Sequence, residues 1–296
     1  MITYFQALVL GLLQGITELF PISSLGHSVV LPWLFGWDKI VGSEHSGESF
    51  FLPFLVALHV ATGIALLIFY RSTWVRVIGG FFGSVKKRKI DTPDSRLAWL
   101  LLAATVPAGV FGLAFEHSLR TQFAKPSSAI IFLFLNGCLL LIGDRYQRRH
   151  PTARGAASTV TTTANVSERL TLTRAGFIGV AQIGALFAGI SRSGVTMISG
   201  LYSGLNYEDA ARFSFLLATP IIFGAGLLKL PDFFGNLDAG VRGPILAGSV
   251  VAGIAAYISV RFLDKYFRDK TLRPFGLYCI GFSTFLLLVG LLRGHF

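Results

Sequence analysis

Charge is scarce in this chain. Asp, Glu, Lys and Arg make up 14% of its 296 residues, where a soluble domain carries roughly 25%. That deficit excludes an ordinary soluble globular fold. Cysteine is scarcer still: Cys138 and Cys279 are the two in the chain, and both lie inside apolar runs, which excludes a disulfide framework or a zinc site. The first 38 residues hold no Lys or Arg. The basic start of a cleavable signal peptide is therefore missing, and the N-terminal apolar segment is expected to stay. The remainder is oil: 53% hydrophobic residues, 27 Phe, 33 Gly and a mean hydropathy of +0.64. This is the composition of an all-α polytopic membrane protein, in which glycine allows helices to approach closely.

Six apolar runs, near 51–70, 97–115, 127–143, 209–228, 243–261 and 275–292, are long enough to cross roughly 30 Å of hydrocarbon. Two more, about 3–35 and 175–204, are interrupted midway by Pro21-Ile22-Ser23-Ser24 and Gly189-Ile190-Ser191-Arg192-Ser193. A broken segment is tolerated at membrane depth where protein or a water-filled cavity satisfies its freed backbone groups. Basic residues concentrate in 71–96, 143–174 and 261–273, which hold 18 of the 26. Those loops alternate with sparse ones, so they are expected on the cytoplasmic side, with both termini outside. In a soluble chain a net charge of +11 would suggest nucleic acid. Here the charge sits in loops flanking membrane spans, so no nucleic acid is expected and the runs read as solvated faces.

The Thr/Ala-rich stretch within 144–174 reads as a cytoplasmic linker between two related halves, 1–143 and 175–296. A shift of 168 residues lays Gln14 on Gln182, Ile22 on Ile190, Ser23 on Ser191 and Gly26 on Gly194. A shift of 161 lays FLVALHVATGIALL (54–67) on FLLATPIIFGAGLL (215–228). Each half then holds one re-entrant broken helix pair and three transmembrane helices. Three is odd, so the repeats are expected to have inverted topology, with the two breaks meeting near the membrane midplane.

Ionisable residues inside apolar segments are expensive and mark function by default. The sequence offers Glu18, His27, His59 and Arg192; the pairs Glu44-His45 and Glu116-His117 lie at loop edges and are expected to be solvated. Glu18, His27 and Arg192 fall in the two breaks and would share one cavity if the tips meet. Arg192, with Ser191, Ser193 and Thr196 around it at a helix restart, suits the oxygens of a phosphate. A structural Arg192–Glu18 ion pair is the plainer reading, although it does not call for the surrounding hydroxyls. Ser24 and His27, three apart on a restarting helix, could form a nucleophile–base pair with Glu18 adjacent. His59 sits on a straight span and is expected to be a hydrogen-bonding partner.

The stretches QGITELFPISSLGHSVV and AGISRSGVT, supported by RFSFLLATPIIFGA and TVPAG, resemble the signature motifs of the undecaprenyl-diphosphatase, or bacitracin-resistance, family. The resemblance implies a bacterial plasma-membrane enzyme that hydrolyses undecaprenyl diphosphate to undecaprenyl phosphate for peptidoglycan synthesis. It implies a site opening on the outer face, a divalent cation (Mg2+ or Ca2+) and membrane lipid as partner, and it allows a homodimer. Glu18, Ser24, His27 and Arg192 fall on the family's catalytic positions, with Glu18 sharing the cation with substrate. Gln14, Ser23, Ser191, Ser193 and Thr196 fall on positions around the diphosphate, and His59 and Gln182 stand behind them. The chain departs from the family pattern at Gln14 (often Glu), Leu25 (often Thr or Ser), Ala188 (Pro) and His59 (often Gln). Attack by Ser24, attack by His27 and attack by activated water remain open routes. A transporter or flippase of an anionic polyprenyl lipid is the rival reading, since broken helices meeting at mid-membrane serve transport as well.

Overall fold

A computed structural model describes residues 2–37, 51–115, 125–151, 162–229 and 239–294. The expected solvation of Glu44-His45 and Glu116-His117 lies outside the described residues. Among those described, the regular structure is helical: α1 (Tyr4–Thr17), α2 (Ser24–Leu34), α3 (Phe51–Phe69), α4 (Arg71–Lys87), α5 (Pro93–Ala114), α6 (Pro126–Arg149), α7 (Thr162–Arg169), α8 (Leu172–Ala181), α9 (Arg192–Tyr202), α10 (Tyr207–Leu228), α11 (Ala239–Asp269) and α12 (Arg273–Leu292), with a 3-10 turn at Gln182–Leu186. Helices α3, α5, α6, α10, α11 and α12 are long and apolar enough to cross a membrane, in the places the hydropathy predicts. Local chemistry sets the helix starts. Thr3 and Thr92 form capping boxes with Gln6 and Ser95, Asn206 caps α10, and prolines open α5 and α6.

The two broken segments fold back on themselves. At 14 and 11 residues, α1 and α2 rise about 21 and 17 Å, too little to span alone. Phe5 near the start of α1 meets Trp37 just beyond α2, ring edge to face at 6.2 Å, so both arms return to one end. In the second segment Arg174, at the start of α8, donates to the carbonyl of Ser203 just past α9 at 3.1 Å. Each break is thus the tip of a hairpin. Glycine lets neighbouring helices approach to backbone contact. A Cβ on Gly11 would collide with the Gly248 carbonyl, seating α1 on α11, and one on Gly137 would lie 2.8 Å from the Gly276 carbonyl, seating α6 on α12.

Two segments read as loops are helical. The basic stretch after residue 70 forms α4, a 17-residue amphipathic helix. Within 144–174, α6 continues to Arg149 and α7 follows, with Val166 and Leu170 fully packed into the core. Mean hydropathy hides both, because polar residues on one helical face cancel the apolar face. Cys138 and Cys279 are unpaired thiols, the second buried.

Candidate active site

Glu18 caps the C-terminal end of α1 and is buried, 7% exposed. Four side chains donate to its carboxylate. Oε2 accepts from Gln14 Nε2 at 3.2 Å, Ser24 Oγ at 2.6 Å and His59 Nε2 at 3.2 Å; Oε1 accepts from Arg192 Nη2 at 3.1 Å. The donors come from α1, α2, α3 and α9, so the carboxylate ties together both hairpin tips and a spanning helix. Arg192 Nη1 donates in turn to the Ser214 carbonyl of α10 at 3.2 Å. His59 Nδ1 faces the Leu55 carbonyl at 2.7 Å. With a carbonyl on one ring nitrogen and a carboxylate on the other, both nitrogens must donate, an arrangement that the imidazolium satisfies. One negative charge then sits between two positive ones. The cluster carries a surplus positive charge in a low-dielectric setting, which an arriving anion would neutralise.

The two tips meet, and the framework hydroxyls hold them together. Ser23, at φ 71°, caps α2 by accepting from Gly26 N at 3.2 Å and reaches across to accept from Gly189 N at 3.2 Å. Ser191 caps α9 through Gly194 N at 3.1 Å and pairs with Ser193 Oγ at 3.0 Å. Ser193 Oγ donates to the Phe20 carbonyl at 3.3 Å in the opposite tip. Thr196 Oγ1 bonds the Arg192 carbonyl at 2.8 Å and Ser214 Oγ at 2.6 Å, bracing α9 against α10. In this arrangement Ser23, Ser191, Ser193 and Thr196 cement the tips, while Gln14, Ser24, His59 and Arg192 converge on Glu18.

Two expectations need correction. Ser24 and His27 do not pair. Three residues apart, they point about 60° away from each other around the helix. Ser24 turns to Glu18, whereas His27 Nδ1 donates to the Ser23 carbonyl at 2.7 Å and Nε2 meets Tyr278 Oη at 2.9 Å. The His27 ring lies in a stack with Tyr278 and Phe282 of α12. Gln182, the partner of Gln14 in the repeat, is far from equivalent in role: the chain switches to a 3-10 turn there, and its Nε2 donates to the Ala104 carbonyl of α5 at 3.0 Å. Conversely, His59 bonds Glu18 directly, more closely engaged than its place on a straight span suggests.

The sequence reading missed Asn136. Its Nδ2 donates to the Pro21 carbonyl at 3.0 Å and its Oδ1 accepts from Ser191 N at 2.9 Å, so one amide joins the two tips from α6. Its signal was present: a lone amide in the middle of an apolar span. Ser214 and Tyr278 were missed too, being uncharged and unremarkable in their runs. Beyond the site, Asp144 is buried with Arg148 at 2.6 Å and Tyr207 at 2.8 Å, and Asp264 pairs with Arg212 at 2.7 Å.

Without substrate, the described residues offer no protein-held site for a divalent cation, which leaves a cation shared between Glu18 and the diphosphate as the form the family resemblance implies. Both Glu18 oxygens already accept hydrogen bonds, one of them from a guanidinium. Among the described residues no three His, Cys, Asp or Glu side chains gather to hold a metal. Gln14 Oε1 is buried and without a hydrogen-bond partner, yet it is one neutral oxygen where a hard cation takes six or more ligands.

Residues 7–285 match the family model for the bacitracin resistance protein BacA. A Frankia alni protein named undecaprenyl-diphosphatase 2 is 49% identical, over 94% of this chain and 95% of its own. A Mycolicibacterium paratuberculosis undecaprenyl-diphosphatase is also 49% identical, over 94% of each chain. A Burkholderia orbicola undecaprenyl-diphosphatase 2 is 45% identical, again over 94% of each. With six apolar spanning helices, two hairpin tips locked on Glu18 and matches of this extent, the chain is an integral membrane protein and belongs to the bacitracin resistance protein BacA family.

Proposed function

We propose that this protein hydrolyses undecaprenyl diphosphate to undecaprenyl phosphate and inorganic phosphate, with its site at the two hairpin tips. The observation that carries this is the Ser24 hydroxyl donating to Glu18 at 2.6 Å inside a cluster with surplus positive charge. A carrier or flippase needs the positive charge but has no use for a hydroxyl held against a base. Arriving diphosphate oxygens draw Arg192 and His59 away from Glu18, which frees the carboxylate to take the Ser24 proton. Ser24 Oγ then attacks the terminal phosphorus; the bridging P–O bond breaks and its electron pair leaves on undecaprenyl phosphate. Arg192 and His59 stabilise charge on the transferring group. In the second half, water attacks the phosphoserine and the Oγ–P bond breaks. Oγ recovers the proton from Glu18, and phosphate leaves with both protons of that water.

His27 supports the turn that presents Ser24, since both its ring nitrogens are engaged away from the hydroxyl; this disfavours phospho-histidine. An apolar groove of ≈ 470 Å³ between α3 and α11, lined by Ala61, Ile64, Ile68, Val250, Ile254 and Ile258, begins two residues beyond His59 and suits a prenyl chain. The basic loops support termini on the outer face of the plasma membrane, and the family resemblance favours a site that opens on that face. Every group named comes from one chain, so a homodimer is not needed to complete the site. The test is phosphate release from undecaprenyl diphosphate by detergent-purified protein, alongside Ser24→Ala and Arg192→Ala. Release by wild type, lost in both variants, is expected; no release by folded wild type would refute the reading.

A further inference from the structure

Among the described residues, helix α4 packs one face on the protein and leaves the other uncovered. Val77 and Ser84 are buried, Trp99 Nε1 donates to Ser84 Oγ at 3.0 Å, the Phe81 and Trp99 rings lie 5.3 Å apart, and Arg76 faces Asp94 at 3.7 Å. Opposite, Val75 (73% exposed), Ile78, Phe82 (65%) and Val85 stand out at the i, i+3, i+7, i+10 spacing of a single stripe. The contacts from Arg76 to Ser84 cover about 12 Å of α4 but fall on Asp94–Trp99, about 8 Å of α5. Helix α4 therefore crosses the first turns of α5. Because α5 is long and apolar enough to cross a membrane, a span there would put its first turns near the membrane surface, with α4 beside them.

Residues 71–90 contain six basic side chains and no acidic one. Four of them, Lys86, Lys87, Arg88 and Lys89, are consecutive and exposed. Arg88 ends the helix at φ 51°, with Lys89 N donating to the Ser84 carbonyl at 3.1 Å. This left-handed position normally belongs to glycine, because a β-carbon disfavours it. Among the described residues the other non-glycine with positive φ is Ser23, at the candidate active site. Strain kept where glycine would relieve it points to a needed side chain.

We propose that α4 and the Lys86–Lys89 run form a binding surface for anionic phospholipid, the apolar stripe sinking to the acyl boundary and the basic run pairing with negative headgroups. Charge complementarity and the position of α4 beside a span favour a lipid leaflet over a soluble acidic partner. The test reconstitutes the full chain in phosphatidylcholine vesicles with trace spin-labelled phosphatidylglycerol or phosphatidylcholine, and measures their relative association. Wild type should favour phosphatidylglycerol by about fivefold or more, the partitioning of one fully engaged charge, and 1 M salt should abolish the preference. The variant Lys86→Gln, Lys87→Gln, Arg88→Gly, Lys89→Gln should lower it severalfold while releasing phosphate normally in detergent. Arg88→Gly alone, which relieves the backbone, should raise Tm and lower the preference. Equal preference in wild type and the fourfold variant, or preference that survives 1 M salt, overturns the proposal. A spin label at Phe82→Cys that is exposed to water rather than to membrane oxygen overturns it in favour of a soluble acidic partner.

Discussion

Replacing Glu18 with glutamine removes one charge and keeps the shape. The amide retains one acceptor oxygen and turns the other into an NH2 donor. Whichever way it is oriented, that donor faces either Arg192 Nη2 or the group formed by Gln14 Nε2, Ser24 Oγ and His59 Nε2. Arg192 and His59 also lose their counter-ion; their side chains are 15% and 27% exposed against 6% for Glu18, so water rescues them poorly. Breaking a buried pair by removing one partner costs about 3–5 kcal/mol, which in a chain of this size is a fall in Tm on the order of 10 °C. Loss of the proton acceptor should lower kcat by roughly 10²–10⁴-fold. Ser24→Ala separates the two effects. It leaves Glu18 with three of its four donors, so phosphate release should vanish with little change in Tm. Scanning fluorimetry in detergent and a phosphate-release assay measure both variants. Glu18→Gln with wild-type Tm would refute the counter-ion argument, and with wild-type kcat would refute its role as base.

Asn136→Leu should destabilise the protein by about 3 kcal/mol, because Ser191 N and the Pro21 carbonyl are left buried without partners, each costing about 1–3 kcal/mol. Chemical unfolding in detergent measures this, and an unchanged midpoint would remove Asn136 from the account of how the tips are joined. Gln14→Glu exchanges a donor for an acceptor 3.2 Å from Glu18. Two carboxylates at that distance call for a cation, so calcium or magnesium should raise the Tm of the variant while leaving substrate-free wild type unmoved. An equal rise in both would show a cation site that the present donors do not suggest.

The spans were legible because burial in lipid demands long apolar runs, and nothing else in the chain imitates them. The breaks were legible for the converse reason: Pro21, Gly189 and the serines around them are costly in oil without a purpose. What single-residue reading could not supply was rotation about the helix axis. Ser24 and His27 sit at a spacing that suggests one face, but the first turn of α2 divides them between Glu18 and Tyr278. The same limit hid Gln182, whose likeness to Gln14 holds in sequence while a local 3-10 turn aims it at α5. Asn136 escaped because an uncharged amide barely disturbs hydropathy, although its two hydrogen bonds join segments 115 and 55 residues away. Helix α4 escaped because its two faces average to neutrality.

The cross-bonds between the tips have a consequence for how the site comes to exist. A hairpin that stops inside the membrane leaves backbone groups without helical partners, and in hydrocarbon each such group is expensive. Here the second tip takes its missing partners from the first half of the chain. Ser23 of the first accepts from Gly189 N of the second, Ser193 of the second donates to the Phe20 carbonyl of the first, and Asn136 serves both at once. The first tip has partners within its own half, since Ile22 N donates to the Phe20 carbonyl at 2.7 Å and Asn136 to the Pro21 carbonyl. Gly189 N and Ser191 N of the second tip donate across to Ser23 and Asn136, so the second break is completed on the first. The strained Ser23 that presents Ser24 to Glu18 is held by the same bonds. Closing the second break on the first therefore also assembles the reactive cluster, and a mutation that loosens either tip should be felt in stability and in turnover together.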